Sequence, residues 1–230
     1  MNDRFSAEVA GISALAEPAR RTLYLYVAEQ PDPVSREQAA SACGLPLHSA
    51  KFHLDRLVEE GLLDVTYRRL TGRTGPGAGR TAKLYQRSDR EVSVSLPERR
   101  YDLVGDILAG AIDRSTAEGI SVRDAIEEVA AQRGRALAEA AESNGGSDLD
   151  RSSKVLADNG YEPRPADGDL CLANCPFDRL AREHTELVCG MNVALVRGVL
   201  DGLGCESLEA VLEPDPGLCC VKARQRSPQA

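Results

Sequence analysis

The chain has 230 residues, 42% of them hydrophobic, enough for two small cores, and no apolar run approaches the roughly 20 residues that span a membrane. The N-terminus lacks a basic-then-apolar leader pattern, so a cytoplasmic protein is expected; that compartment keeps thiols reduced, which points the seven cysteines toward metal or redox roles and away from structural disulfides. The formal charge of −8 is unevenly divided: residues 1–90 carry 13 Lys or Arg against 11 Asp or Glu, and residues 91–230 carry 15 against 25, so only the first half is suited to a polyanion.

Residues 1–6 are polar. Val9, Ile12 and Leu15 begin a helical pattern, and Pro18 suits the first turn of the next helix, where its missing amide costs nothing. Leu23 and Val27, with Tyr24 and Tyr26, are expected to pack beneath residues 34–87, and Pro31 and Pro33 end that helix. Residues 34–87 organise the chain. Ser35-x-x-Gln38 fits a capping box, and Gly44 is the residue best able to take a left-handed conformation past a helix end. The next helix is predicted from Leu47 to about Glu60, with Ala50, Leu54, Leu57 and Val58 on one stripe and Gly61 as its stop. The opposite face carries His48, Ser49, Lys51, Phe52, His53 and Arg56. Donors, an aromatic and two cations on one face are what a helix needs to meet base edges and phosphates in a major groove; the plainer alternative is a solvated helix face.

Leu62–Arg68 and Thr81–Gln86 can pair as strands. Between Tyr67 and Ser88 lie six basic residues, Arg68, Arg69, Arg73, Arg80, Lys83 and Arg87, and no acidic one. The glycine-rich run from Thr71 to Gly79 cannot pack a core, so it is predicted to project as a basic wing along phosphates. Its Gly-Pro-Gly-Ala-Gly-Arg-Thr string is not a nucleotide loop, because it lacks the Lys-Ser/Thr ending and leads into a strand.

Three stretches carry a resemblance: Leu15-Ala-Glu-Pro-Ala-Arg-Arg-Thr-Leu, Phe52-His-Leu-Asp-Arg-Leu-Val-Glu-Glu-Gly-Leu-Leu, and the wing Thr-Gly-Arg-Thr-Gly-Pro-Gly-Ala-Gly-Arg. Over roughly the first 90 residues the chain resembles bacterial ArsR-type winged helix-turn-helix regulators, and more narrowly the branch with the SufR-type repressors of iron–sulfur assembly operons. The resemblance implies a repressor that binds a double-stranded DNA operator.

After the wing, Glu91–Leu96 alternates like a short strand or extended linker, ended by Pro97. From Glu98 to Glu118, Tyr101, Val104, Leu108, Ala111 and Ile112 recur at helical spacing, and Ser121-x-x-Asp124 caps another helix with Val122, Ile126, Val129 and Leu137. These two helices read as a homodimer interface, which two-fold operators require; packing within the chain is the alternative. Asn144–Ser147 reads as a loop, Asp150–Asn159 as a helix, and Tyr161–Pro165 with Asp169–Leu172 as a hairpin. Phe177–Leu203 is strongly helical, with a break expected near Cys189; Ser207–Leu212 is a short helix or strand, Gly217–Val221 a strand, and Arg224–Ala230 a tail.

Six of the seven cysteines lie beyond residue 170: Cys171, Cys175, Cys189, Cys205, Cys219 and Cys220. Thiolates are soft ligands for iron–sulfur clusters or zinc, and a loop pair followed by a helix-borne cysteine can converge on one centre. Cys175-Pro176 resembles the proline that often follows a cluster ligand. The family resemblance implies that Cys171, Cys175 and Cys189 hold an iron–sulfur cluster of the 4Fe–4S type, with one residue more than usual in the second gap, and that Cys219 or Cys220 is the fourth ligand. Adjacent residues of a strand face opposite ways, so one of that pair is expected to ligate. Zinc is the alternative cofactor, with His184 the weakest of its candidate ligands, while Cys43 and Cys205 read as small buried hydrophobes.

The fold class expected is α+β, mainly helical, with an N-terminal winged helix-turn-helix and a C-terminal α/β cysteine-rich sensor domain. The domains expected are residues 1–96 for DNA binding, 97–143 for dimerisation and 144–230 for sensing. No enzyme is expected, since the chain has no Cys-x-x-Cys and no recognisable nucleophile–base pair.

Overall fold

Local rules account for the first helices of the computed structural model, which describes residues 3–68, 81–141 and 145–226. Helix α1 spans Asp3–Ala14, and α2 spans Pro18–Glu29, its proline at the start and its buried Leu23 and Val27 four residues apart on one face. A two-residue strand, β1 (Val34–Ser35), leads into α3 (Arg36–Ala42). The Ser35 hydroxyl accepts from the Gln38 amide at 3.2 Å and the Gln38 side chain accepts from the Ser35 amide at 2.8 Å, so the capping box is complete. Gly44 turns the chain with φ +63° into α4 (Leu47–Glu59), which buries Ala50, Leu54 and Leu57.

Strands β2 (Leu63–Arg68) and β3 (Ala82–Arg87) form the antiparallel hairpin, with Thr66 opposite Leu84. Strand β1 adds to the other edge of β3, Val34 opposite Tyr85, giving the order β1-β3-β2. Leu23, Val27, Leu54, Leu57, Leu63 and Tyr85 are the middle of the core. The winged helix-turn-helix is therefore present; the wing tip, including Arg69, Arg73 and Arg80, lies outside the described residues. Glu91–Leu96 forms no strand and is the extended linker of the two forms expected.

The chain divides into two compact units, 1–94 and 95–230. The second begins with α5 (Tyr101–Glu118), α6 (Val122–Ala140) and α7 (Asp148–Ala157). It continues with β4 (Pro163–Ala166), β5 (Asp169–Leu172), α8 (Asp178–Glu183), α9 (Thr185–Gly202), β6 (Leu208–Leu212) and β7 (Val221–Gln225). The four strands pair antiparallel in the order β4-β5-β7-β6. Helix α9 buries residues on every side, among them Val188, Met191, Leu195, Val196 and Val199, and so lies at the centre of this core.

Four expectations change here. Residues 97–143 are not a domain of their own: α5 and α6 share one core with α7, α9 and the sheet. The buried face of α6 includes Ala130, Gly134 and Ala138 beyond Ala125 and Ile126, and α9 meets it with Gly198 and Gly202; a Cβ on Gly198 would lie 2.8 Å from the Ala131 carbonyl carbon. Backbone thus packs on backbone, and packing within the chain covers much of the surface assigned to a dimer. The helix break falls at His184, where φ −132° and ψ 54° end α8, five residues before Cys189. Finally, the last strand starts at Val221 and takes in Arg224 and Gln225, leaving Cys219 and Cys220 in the stretch before it.

Candidate nucleic-acid interface and thiol centre

Because Ala50, Leu54 and Leu57 face the core, α4 presents His48, Lys51 and Phe52 to solvent, Phe52 at 66% exposure. An exposed phenylalanine beside a cation is costly to keep in water and useful against a thymine methyl or a sugar. Ser49 is half-buried beside them. Arg56 lies exposed further along the helix and pairs with Glu59 at 3.0 Å and with Glu60, so its charge is largely offset within the helix. His53 is half-buried, its ring edge-on to Phe52 at 5.3 Å and its Nδ1 buried without a partner.

Lys83 does not extend from the hairpin. Its ammonium donates to Asp55 Oδ1 at 2.5 Å and sits 5.0 Å over the Tyr85 ring, while the Tyr85 hydroxyl donates to the same oxygen at 2.9 Å. Burial would push the Asp55 carboxyl up, but these two hydrogen bonds outweigh it and hold the group below the ordinary carboxylate range. Lys83 and Asp55 therefore tie β3 to the reading helix. Arg68 ends β2, exposed, opposite Ala82.

In the second unit, Cys175 lies in the loop between β5 and α8, Cys189 near the start of α9, and Cys219 and Cys220 just before β7. The acidities of these thiols depend on one another: Cys219 and Cys175 act on each other, and Cys220 and Cys175 both act on Cys189. Four thiols from three separate segments thus influence one another. The adjacent pair lies just before β7 and not, as expected, within a strand. Cys171 is not among them: β5 buries Leu170 and Leu172, so the alternation turns Cys171 to the other face of the sheet. His184 is exposed at the helix break. Cys205 is buried, its thiol donating to the Asp148 carbonyl at 3.7 Å, and Cys43 is half-buried near the Thr22 carbonyl.

The thiols differ in acidity for visible reasons. Interaction with Cys219 lowers Cys175 despite its burial, and the same interaction, together with burial, drives Cys219 far above an ordinary thiol. Burial, then the charge of Cys220, pushes Cys189 up to about 12. The Asn192 amide, 1% exposed, donates to Cys219 Sγ at 3.3 Å and accepts from the buried Tyr161 hydroxyl at 2.5 Å. Residues 98–100 brace the Cys175 loop. Arg99 donates to the Cys175 carbonyl at 3.0 Å and to Asn174 Oδ1 at 2.5 Å, the Arg100 amide donates to the Pro176 carbonyl at 3.1 Å, and buried Asn174 donates to the Glu98 and Gly160 carbonyls.

None of Asn192, Tyr161, Arg99 or Asn174 stands out in the sequence, since single Asn, Tyr and Arg residues have no periodicity to betray them. One N–H, that of Asn192, is aimed at the Cys219 sulfur, and apolar Leu172, Phe177 and Val188 belong to the same core as Cys175 and Cys219. Among the described residues, however, no three His, Cys, Asp or Glu side chains are grouped so as to hold one metal ion. Nor, among them, is any helix long and apolar enough to cross a membrane.

No curated protein and no solved structure matches the chain. Residues 15–66 match the family described as Helix-turn-helix domain. That segment runs from the end of α1 through α2, α3, α4 and most of β2, so the first unit is a winged helix-turn-helix of the kind carried by DNA-binding transcriptional regulators.

Proposed function

We propose that the protein is a cytoplasmic, homodimeric transcriptional repressor of the SufR-like kind, whose C-terminal thiols hold an iron–sulfur cluster that reports redox or iron–sulfur status to the operator. The observation that carries the reading is that Cys175, Cys189, Cys219 and Cys220, from three separate segments, act on one another's acidity. A cubane cluster supplies one-electron redox chemistry and oxygen sensitivity when bound, and it takes one thiolate at each iron, so its ligands need not converge on one point. A single zinc ion needs such convergence, which leaves zinc the weaker alternative. On this reading Cys171, placed across the sheet, is not a ligand. The chain acts by binding: His48, Ser49, Lys51 and Phe52 read the groove, and Arg68 with the wing arginines holds phosphate.

The test is anaerobic isolation and reconstitution with iron and sulfide, followed by metal and sulfide analysis and a gel-shift comparison of loaded and metal-free protein. A colourless protein without iron after reconstitution removes the sensor. DNA binding is checked separately with Lys51→Ala, expected to weaken duplex binding and to lower the salt slope by about 1. An unchanged salt dependence would remove Lys51 from the interface.

A further inference from the structure

Among the side chains that α4 turns to solvent, Phe52 is the largest apolar one. It is 66% exposed, and its neighbours one turn away on the same side of the helix are polar: His48 and Ser49 before it, Asp55 and Arg56 after it. The two that follow have partners of their own, Asp55 with Lys83 and Tyr85, and Arg56 with Glu59 and Glu60. The half-buried His53 ring meets Phe52 edge-on, with centroids 5.3 Å apart and planes at 68°, and so steadies a ring that the first unit leaves largely uncovered.

The family match over residues 15–66 and the exposed cation of Lys51 beside the ring make a DNA duplex the occupant of this face. A phenyl ring has neither donor nor acceptor. In the major groove adenine, guanine and cytosine present ring nitrogens, a carbonyl or an amine, and each of these loses its water without replacement when a phenyl ring covers it. Thymine alone adds an apolar group there, its C5 methyl. We infer that Phe52 is a base-selecting residue and that the group it selects is the C5 methyl of a thymine in each half-site bound. This rests on the reading of α4 as the groove-facing helix and adds a base identity to it. No hydrogen bond and no phosphate take part, so the contact contributes to sequence preference and not to salt dependence.

The test removes the methyl from the DNA and the ring from the protein in turn. The full chain selects its site from a pool of random duplexes, and each thymine of that site is then replaced by uracil, which keeps every hydrogen-bonding atom and loses only the methyl. Covering one methyl group is worth about fourfold in affinity. At one thymine of a half-site the wild type is therefore expected to bind the uracil duplex about fourfold more weakly, with its salt slope unchanged. At the same position 5-methylcytosine should be preferred to cytosine. Phe52→Ala should keep the wild-type salt slope and bind the thymine and uracil duplexes alike. A pool that yields no preferred site, uracil tolerated at every position, or every loss persisting undiminished in Phe52→Ala would overturn the inference while leaving duplex binding intact. Absence of salt-dependent binding to any duplex would overturn the reading of α4, and the inference with it. The base replacements in the wild type remain decisive even if the variant fails to fold.

Discussion

Replacing Gly198 by alanine tests how the thiol-bearing unit is held together. Gly to Ala inside a helix ordinarily stabilises by about 1 kcal/mol, because alanine loses less backbone freedom. At Gly198 a Cβ would lie 2.8 Å from the carbonyl carbon and 2.9 Å from the Cα of Ala131, and Gly134 faces the reciprocal contact with Val199 N at 2.8 Å. Carbon atoms in contact sit at about 3.5 Å or more, so α6 and α9 must part by roughly 0.7 Å along an interface of backbone that cannot swing aside. Overpacking of this sort costs about 1–3 kcal/mol, more where main chain has to move. The steric term wins, and Gly198→Ala is expected to destabilise the second unit by about 2 kcal/mol, a fall of about 1 M in its urea midpoint. Far-UV circular dichroism gives the transition, and reactivity of the buried Cys189 and Cys219 thiols assigns it to this unit. Gly105, in α5 with nothing within 4 Å of its Cβ position, is the control: Gly105→Ala should be neutral or stabilising. Equal midpoints for Gly198→Ala and Gly105→Ala would refute the reasoning.

Asp55→Asn should lower the stability of the first unit at neutral pH. Because the folded carboxyl titrates below its unfolded value of about 3.9, the gap to wild type should hold above that pH and close as pH falls through the folded pKa; a gap unchanged down to pH 3 would refute the Lys83–Asp55–Tyr85 tie. Asn192→Leu strands the buried Tyr161 hydroxyl at about 1–3 kcal/mol, and adding Tyr161→Phe should return part of that loss in urea unfolding, which a role confined to packing would not do.

The helix-turn-helix was legible because its signals are local. Ser35 and Gln38 lie three residues apart and find each other, and Gly44 and Gly61 stop helices by their own backbone freedom. The α6–α9 seam was not legible, because periodicity weighs bulky side chains and this seam is built from their absence at Gly134, Gly198 and Gly202. The face on which Cys171 lies was readable in principle. Leu170 and Leu172 flank it in a strand, and alternation decides its face whatever the cysteine spacing suggests. Cys219 and Cys220 were placed in a strand that begins only at Val221, because a boundary between extended stretches has no periodicity to mark it.

The spread of the thiols over distant segments has a thermodynamic consequence. Cys175, Cys189 and the Cys219–Cys220 pair come from segments that only folding brings together, so any ligand shared by these sulfurs draws its affinity from folding of the second unit. The first unit has one cysteine, Cys43, set against the Thr22 carbonyl and away from the face of α4 that carries Lys51 and Phe52. A signal reaching that face from the sulfurs therefore needs a route through the chain or through its association with a second copy. The connecting segment is bonded within each unit separately. Arg90 donates to the Glu60 carbonyl at the close of α4, and eight residues after it Glu98 accepts from Asn174, with Arg99 bonded to the carbonyl of Cys175 itself. Occupancy of the sulfurs can alter DNA affinity only so far as it favours one setting of the Cys175 loop over another, and residues 98–100 are bonded to that loop directly.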